Sequence, residues 1–559
     1  MEFGLHWLDT TVIVLYFVLL IGYGLWLTKK IKTSAGYFIG ERKFSWWIMM
    51  GQAFSAGTHA ENFTAQTGAS FNMGFASIWY QWKNMIITPF YWLIAPWYRR
   101  SDRTTVGEIV EDRYGQKMAV IYSLFAIFYF VFAQGVMLKG GGKVIAVAMG
   151  GNMSVDMVVL IMTATFIIYS FLGGMVASAH ANFIQALMII ILSFMLIPSG
   201  LIRVGGFSGM REALPEDFFL LFNSDVGIGT FTLLMLAVNG FVGITAQPHM
   251  VSMCGTGNTE RAGRVGQTYG TFVKRFVTIG WALTGLIVAA LIMQNGQKLE
   301  DPEMAFGYAT RELLVPGLVG LMIASIFAAN MSSASNFMVN TGALFTQNFY
   351  KVFINKHTSD KQLLRMGRIS AVALTLVGVG FAFIIENVLQ AFLFMETTAA
   401  FMGIIVFGGI LWRRANRYGA ISGVVGAFSC YYILYFLNVG ELQLIYEWDS
   451  AIFGWSMLTG FGLFFIVSRI TKPESESRTT LFFEKMELLS DMDSIDADGK
   501  KPKADKHGKA LILVDLPGWL KKERRKHFFT RYKEDFVGFF LAWVFVLLLI
   551  LIAWLIMQL

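Results

Sequence analysis

The chain reads as an all-α polytopic membrane protein, and two observations carry that reading. Its 559 residues are 55% hydrophobic and only 15% charged, with a mean hydropathy of +0.56. A soluble protein of this length would aggregate with so much apolar surface. The apolar residues also come in runs of about 20, the length of a helix that crosses a bilayer. Cys254 and Cys430 are the two cysteines, and neither has a His or Cys neighbour at ligand spacing, so redox chemistry and a metal centre are both set aside.

About fourteen segments have spanning length: 9–28, 45–68, 72–98, 118–148, 156–177, 181–204, 226–252, 268–294, 312–348, 366–387, 389–412, 418–438, 450–469 and 536–557. The first lacks a basic leader and a small-residue cleavage site, so it is expected to remain as a helix. With an outward N-terminus, the cytoplasmic segments become 29–44, 99–117, 253–267, 349–368, 413–417 and 470–535, with a tight turn near 178. These segments and their edges hold 36 of the 45 Lys and Arg residues, while the opposite loops at 212–217 and 300–303 are acidic. Positive charge marks the inside, so both termini are expected to be extracytoplasmic.

Two of the spans are not built for lipid. Residues 51–68 read GQAFSAGTHAENFTAQTG, with Ser, Thr, His, Glu and Asn at depths where Leu would cost less. A helix broken around Ser55 to Thr58 would release carbonyl oxygens for an ion and leave polar side chains for a solute. A comparable interruption, NGFVGITAQPH, lies at 239–249. Each interrupted helix opens a set of five, which predicts inverted repeats over 45–204 and 226–412. The remaining units are an N-terminal helix and loop (1–44), two further helices (413–469), a charged loop (470–535) and a final helix (536–559). Much of the polar stretch 473–508 is expected to be disordered. Residues 519–533 are densely basic beside Phe528 and Phe529, which suits an anionic inner leaflet, a position that makes nucleic acid an improbable partner.

The segment from Ala328 to Asn336 collects small and hydroxyl side chains in the middle of an apolar span. Close helix packing is the commoner role for such a pair as Ser332 and Ser333. The broken helices reverse that preference, because a desolvated cation needs a shell of hydroxyl and carbonyl oxygens.

A family resemblance rests on stretches spread over about 40 to 425. They are Tyr37-Phe38-Ile39-Gly40-Glu41-Arg42, Gly107-Glu108-Ile109 with Arg113-Tyr114-Gly115, Gly173-Gly174 through Gln185, the Ser332-Ser333 helix, and Trp412 to Gly423. In this order they are similar to the sodium/solute symporter family, and the fourteen helices with a long loop before the last resemble its sodium/sugar branch. The resemblance implies a leucine-transporter-type core of five plus five inverted helices. It places a sodium site on Ser55, Thr58, Ala329, Ser332 and Ser333. A second sodium site of some members needs a Thr-Asp pair, which here is Ala181-Asn182. A neutral shell binds a cation weakly, so one sodium per cycle is expected. The family's solute contacts fall on Asn62, Gln81, Asn84, Asn239 and Lys274, with Tyr80 at a gate; an aromatic gate expected three residues after Asn239 is Val242.

The resulting expectation is a sodium-coupled symporter of the plasma membrane, not an enzyme, with no cofactor beyond the coupling Na+. A sugar or polyol is the first expected solute. Intramembrane charge at Glu61, Lys83, Lys139, Lys143, Lys274 and Glu396 marks candidate functional positions. Convergence of Lys83, Lys139 and Lys274 on one cavity would point instead to a carboxylate such as a monocarboxylate, an amino acid or a sialic acid. His59 and His180 are read as packing residues rather than proton carriers. A solute sensor that binds without transporting is the alternative of another class.

Overall fold

A computed structural model describes residues 5–28, 44–487, 510–514 and 528–559, without side chains at 20–21, 23–28, 168–181 and 487. Among the described residues the protein is helical, with no strand beyond isolated bridges. Nine stretches among those residues are long and apolar enough to cross a bilayer. The helices that form the breaks fall outside those nine because they are short, and the helix after the first break carries buried polar and charged groups.

Both expected interruptions are present. α1 (Trp7–Thr28) precedes a span split into α2 (Trp46–Ser55) and α3 (Ala60–Met73). The split is held open by side chains: Asn62 Oδ1 accepts from His59 N (3.1 Å), and Asn330 Oδ1 accepts from Ala60 N (2.9 Å). These acceptors satisfy amides that a continuous helix would have paired internally. α4 (Trp79–Arg100), the short α5 (Val106–Tyr114) and α6 (Gln116–Ala148) follow. The second split separates α8 (Thr230–Ala246) from α9 (Met250–Cys254), beyond α7 (Val155–Val204). Here Pro248 is the cause, since it has no N–H and pushes Gln247 into extended backbone (ψ 124°).

α7 is helical through the turn expected near 178, over 50 residues. A straight helix of that length would measure about 75 Å. Yet Val155 and Val159 lie against Gly142, while Gly200 meets Leu313, and Gly307 on the same short helix meets Val144 and Val147. Both ends of α7 therefore sit at one end of the bundle, so 155–167 and 182–204 act as two antiparallel arms. The expected turn itself falls on residues whose side chains are outside the description.

The second half continues through α10 (Glu260–Gln294), α11 (Ala305–Leu313), α12 (Leu318–Phe345), α13 (Asp360–Ile384) and α14 (Val388–Leu411). α3 runs through the centre, clasped between α6 and α10. Gly140 and Gly285 permit this: a Cβ on Gly140 would stand 2.8 Å from Glu61 Cα, and one on Gly285 would stand 2.5 Å from the Thr67 carbonyl oxygen. Small residues at crossings let membrane helices pack on backbone. At one end of the bundle Lys143 Nζ donates to Asp301 (2.8 Å), Glu303 (2.6 Å) and the Glu386 carbonyl (2.8 Å). Glu303 in turn accepts from the first amides of α14, where the helix dipole favours an anion.

α15 (Arg417–Val439), α16 (Ser450–Ile470), α17 (Glu476–Glu487) and α18 (Lys533–Gln558) complete the fold. α17 corrects the expectation of disorder for part of 473–508: Phe482, Phe483 and Met486 are buried, with Phe482 and Phe483 beneath the Arg113 guanidinium. An aromatic pair within a polar stretch supplied enough apolar area to order it. Residues 488–509 lie outside the description, as does most of the basic segment 519–533.

Candidate functional site

The first break and the middle of α12 face each other across an oxygen-rich gap. Ser332 Oγ is 2.9 Å from the Ser55 carbonyl oxygen and 2.8 Å from that of Ala329. Ser333 Oγ is 3.4 Å from the Ser55 oxygen and 3.2 Å from the Ala56 oxygen. All of these residues are fully buried. Three carbonyls and two hydroxyls meet here, served by the two hydroxyl protons and, at Ser55, by the Thr58 amide, and such a convergence of oxygens in a dry interior is the shell a small cation takes. Ser55, Ala329, Ser332 and Ser333 are brought together as expected. Thr58 lies on the same break, but its hydroxyl donates to the Phe54 carbonyl (2.6 Å) and its amide to the Ser55 carbonyl (3.2 Å), so the oxygen it offers an ion is its backbone carbonyl, the group the family resemblance assigns there. Ala56, which sequence reasoning did not select, brings a carbonyl because the helix opens one residue beyond Ser55.

Beside this gap lies a cavity of ≈ 70 Å³ between α2, α4, α10 and α14. Gln81, Asn84 and Lys274 are on its wall. Asn62 stands one contact behind, through Lys274, and Asn239 further back, through Lys83 to Glu396. Lys274 Nζ donates to Asn62 Oδ1 (3.0 Å) and to the Gly57 carbonyl. Asn239 Oδ1 accepts from Lys83 Nζ (2.9 Å), and its amide nitrogen donates to Thr397 (3.2 Å). Tyr80 is half-buried and not on the wall, and neither are Lys83 and Lys139, so of the three lysines whose convergence would point to a carboxylate only Lys274 reaches the cavity. Five atoms of wall residues, Gln81 Nε2, Asn84 Oδ1, His249 Nδ1, Gln267 Oε1 and Arg275 Nε, are buried without a hydrogen-bond partner among the described residues. Buried polar groups are ordinarily paired, so these are groups held ready for something that enters.

The charges around the cavity are largely matched. Lys83 is fully buried and lies 3.4 Å from Glu396, which also accepts from Gln247 (3.0 Å). Glu61 contacts His59 Nδ1. Arg275, which the sequence reading passed over, is also on the wall and donates to the Gln81 carbonyl (3.0 Å). The signal for it was available as a second cation in the middle of a membrane helix. Lys274 and Arg275 have no carboxylate within ion-pair distance among the described residues, so three fixed cations face two carboxylates.

Of the positions aligned with a second sodium site, Asn182 is buried with both polar side-chain atoms unpartnered among the described residues. Ala181 and His180 fall outside the described side chains.

A family model described as the sodium:solute symporter family matches residues 37–426. The sodium/glucose cotransporter of Vibrio parahaemolyticus is 24% identical over 471 residues, 76% of this chain and 84% of that protein. The high-affinity proline transporter of Bacillus subtilis (strain 168) is 25% identical, over 85% of this chain and the whole of that one. Among solved structures, a Na+-coupled sialic acid symporter in a substrate-bound outward-open state superposes with a TM-score of 0.69 at 17% identity, covering 84% of this chain and 99% of the other. That likeness extends the helical architecture described above to a known transporter fold.

Proposed function

Since the chain belongs to the sodium:solute symporter family, we propose that it couples the entry of one sodium ion to uptake of a small carboxylate across the plasma membrane, by alternating access. Family and relatives are transporters, not enzymes, and sodium-coupled solute symport follows from them. The sodium seat we assign to the oxygens of Ser55, Ala56, Ala329, Ser332 and Ser333. The observation that carries the solute class is the uncompensated cation at the cavity: a buried charge without a counter-ion is costly, and a solute carboxylate would complete the set at Lys274. This departs from the sugar expected first from the sequence.

The sugar or polyol reading has its own support in the amides Gln81 and Asn84 and in relatives named for glucose and myo-inositol. The two readings differ in net charge. One sodium with one carboxylate moves no charge, so uptake into proteoliposomes should be insensitive to an imposed potential. One sodium with a sugar moves one charge, and about 100 mV would add about 2.3 kcal/mol of drive. The deciding measurement is uptake of a labelled panel of sugars, polyols, amino acids and monocarboxylates under a sodium gradient, with and without a potassium diffusion potential. Potential-independent uptake of a carboxylate supports the proposal, and potential-driven uptake of a neutral sugar overturns it in favour of the second reading. Solute binding without uptake of any compound would overturn transport itself.

A further inference from the structure

A second, larger cavity of ≈ 500 Å³ lies between the start of α10 and the start of α18, lined in part by other residues of the same α4 and α10 that line the solute site. Its wall combines two chemistries. At one end are Arg261, Arg264, Arg531 and Lys533, against Glu534 and Asp535. Arg264 is already committed: it is buried between Glu260 (3.1 Å) and Asp535 (2.5 Å), with its guanidinium over the Trp92 ring. Arg261 and Lys533 are exposed and have no ion-pair partner among the described residues. At the other end the cavity runs onto Val537 and Leu541, which are exposed on a face of α18 that continues as Phe540, Val544 and Leu548. Trp92 and Tyr269 line the boundary between the two ends, the aromatic pair expected where headgroups meet acyl chains.

We propose that this cavity binds an anionic phospholipid, its phosphate between Arg261 and Lys533 and an acyl chain along Val537 and Leu541. A soluble anion would need only the charged end, and a neutral lipid only the apolar one. The cavity offers both in the order a phospholipid presents them. The basic chain from Lys521 to Lys526, immediately before it in sequence, adds attraction of the same sign. The site also sits on a charge bridge across the molecule. Arg100 on α4 binds Glu260 on α10 (2.7 Å) and the Met486 carbonyl on α17 (2.8 Å), and Asp535 on α18 accepts from Ile512 N (2.8 Å). A lipid held here fastens the last helix to the helices that line the solute cavity. This inference is independent of which solute is carried.

The test is native mass spectrometry of the full-length protein released from vesicles of equal phosphatidylglycerol and phosphatidylcholine. Phosphatidylglycerol should be retained preferentially, and Arg261→Gln/Lys533→Gln should lower that retention by about fivefold for each charge removed. The conservative pair Arg261→Lys/Lys533→Arg should retain it, which separates lost charge from lost fold. Equal retention of the two lipids, or no change in the Gln double variant, overturns the proposal. Complete displacement by excess inorganic phosphate also overturns it, because the ligand would then be a free anion.

Discussion

The two halves of the central site are built on opposite electrostatic plans. The gap between the first break and α12 contains no formal charge, only carbonyl and hydroxyl oxygens and the few donors that reach them. The adjacent cavity is crowded with charge: Lys83 is paired with Glu396 and Glu61 with His59, while Lys274 and Arg275 have no carboxylate partner among the described residues. The difference follows from what each half must release. An ion that has to leave again is held by many weak neutral ligands rather than by a carboxylate, whose attraction in a low dielectric would trap it. On the proposed assignment, solute recognition instead uses buried charges whose desolvation is partly offset by internal partners, with Lys274 and Arg275 left to discriminate among solutes.

The contrast is broken most severely by removing one partner of the buried pair. Glu396→Gln strands Lys83 and should cost about 3–5 kcal/mol, seen as a large fall in apparent melting temperature in detergent. Lys83→Met/Glu396→Gln, which removes both charges, should recover most of the loss; no recovery would show that the pair is not the reason for the cost. In the neutral half, Ser332→Ala/Ser333→Ala removes two oxygens worth about 2 kcal/mol each to a charged ligand. If the two losses add, half-activating sodium should rise by roughly several hundredfold with the protein still inserted, and unchanged sodium activation would sink the assigned seat. Thr58→Val, whose hydroxyl points to the Phe54 carbonyl, should leave sodium activation nearly untouched.

Lys274→Gln sharpens the comparison from the other side. It should raise the solute KM about tenfold, the effect of losing about 1.4 kcal/mol, with sodium activation measured at saturating solute unchanged. Equal shifts in both would mean that the two halves are not separable. The smallest effect is expected outside the membrane, at Glu474. Burial raises its carboxyl pKa, but the side-chain and backbone N–H groups of Arg417 and the nearby Arg478 more than reverse this and hold it below the usual carboxylate value. A depressed folded pKa contributes stability that is present above the unfolded value of about 4.3 and lost as pH falls through the folded one. Glu474→Gln should therefore lower the melting temperature slightly at neutral pH, by less than about 1 kcal/mol, and the difference should vanish in acid.

What the sequence determined by itself was whatever shows as a conflict with lipid. Residues 51–68 and 239–249 are too polar for a bilayer span, and Ser332-Ser333 sits where Leu would be cheaper. Such conflicts are local, and the bilayer is a uniform reference against which they stand out. That polarity placed the breaks around Ser55 to Thr58 and within 239–249, where the helices do end. Tertiary structure alone decided which charges meet. Lys83 reaches Asn239, 156 positions away, and finds Glu396 beside it, pairings that no local pattern encodes because they arise from helices brought together late in the chain. It also turned the Thr58 hydroxyl away, brought in the Ala56 carbonyl and ordered Phe482 and Phe483 against Arg113. Each of these depends on packing geometry rather than composition, since a rotation of one residue on a helix redirects a side chain by about 100°.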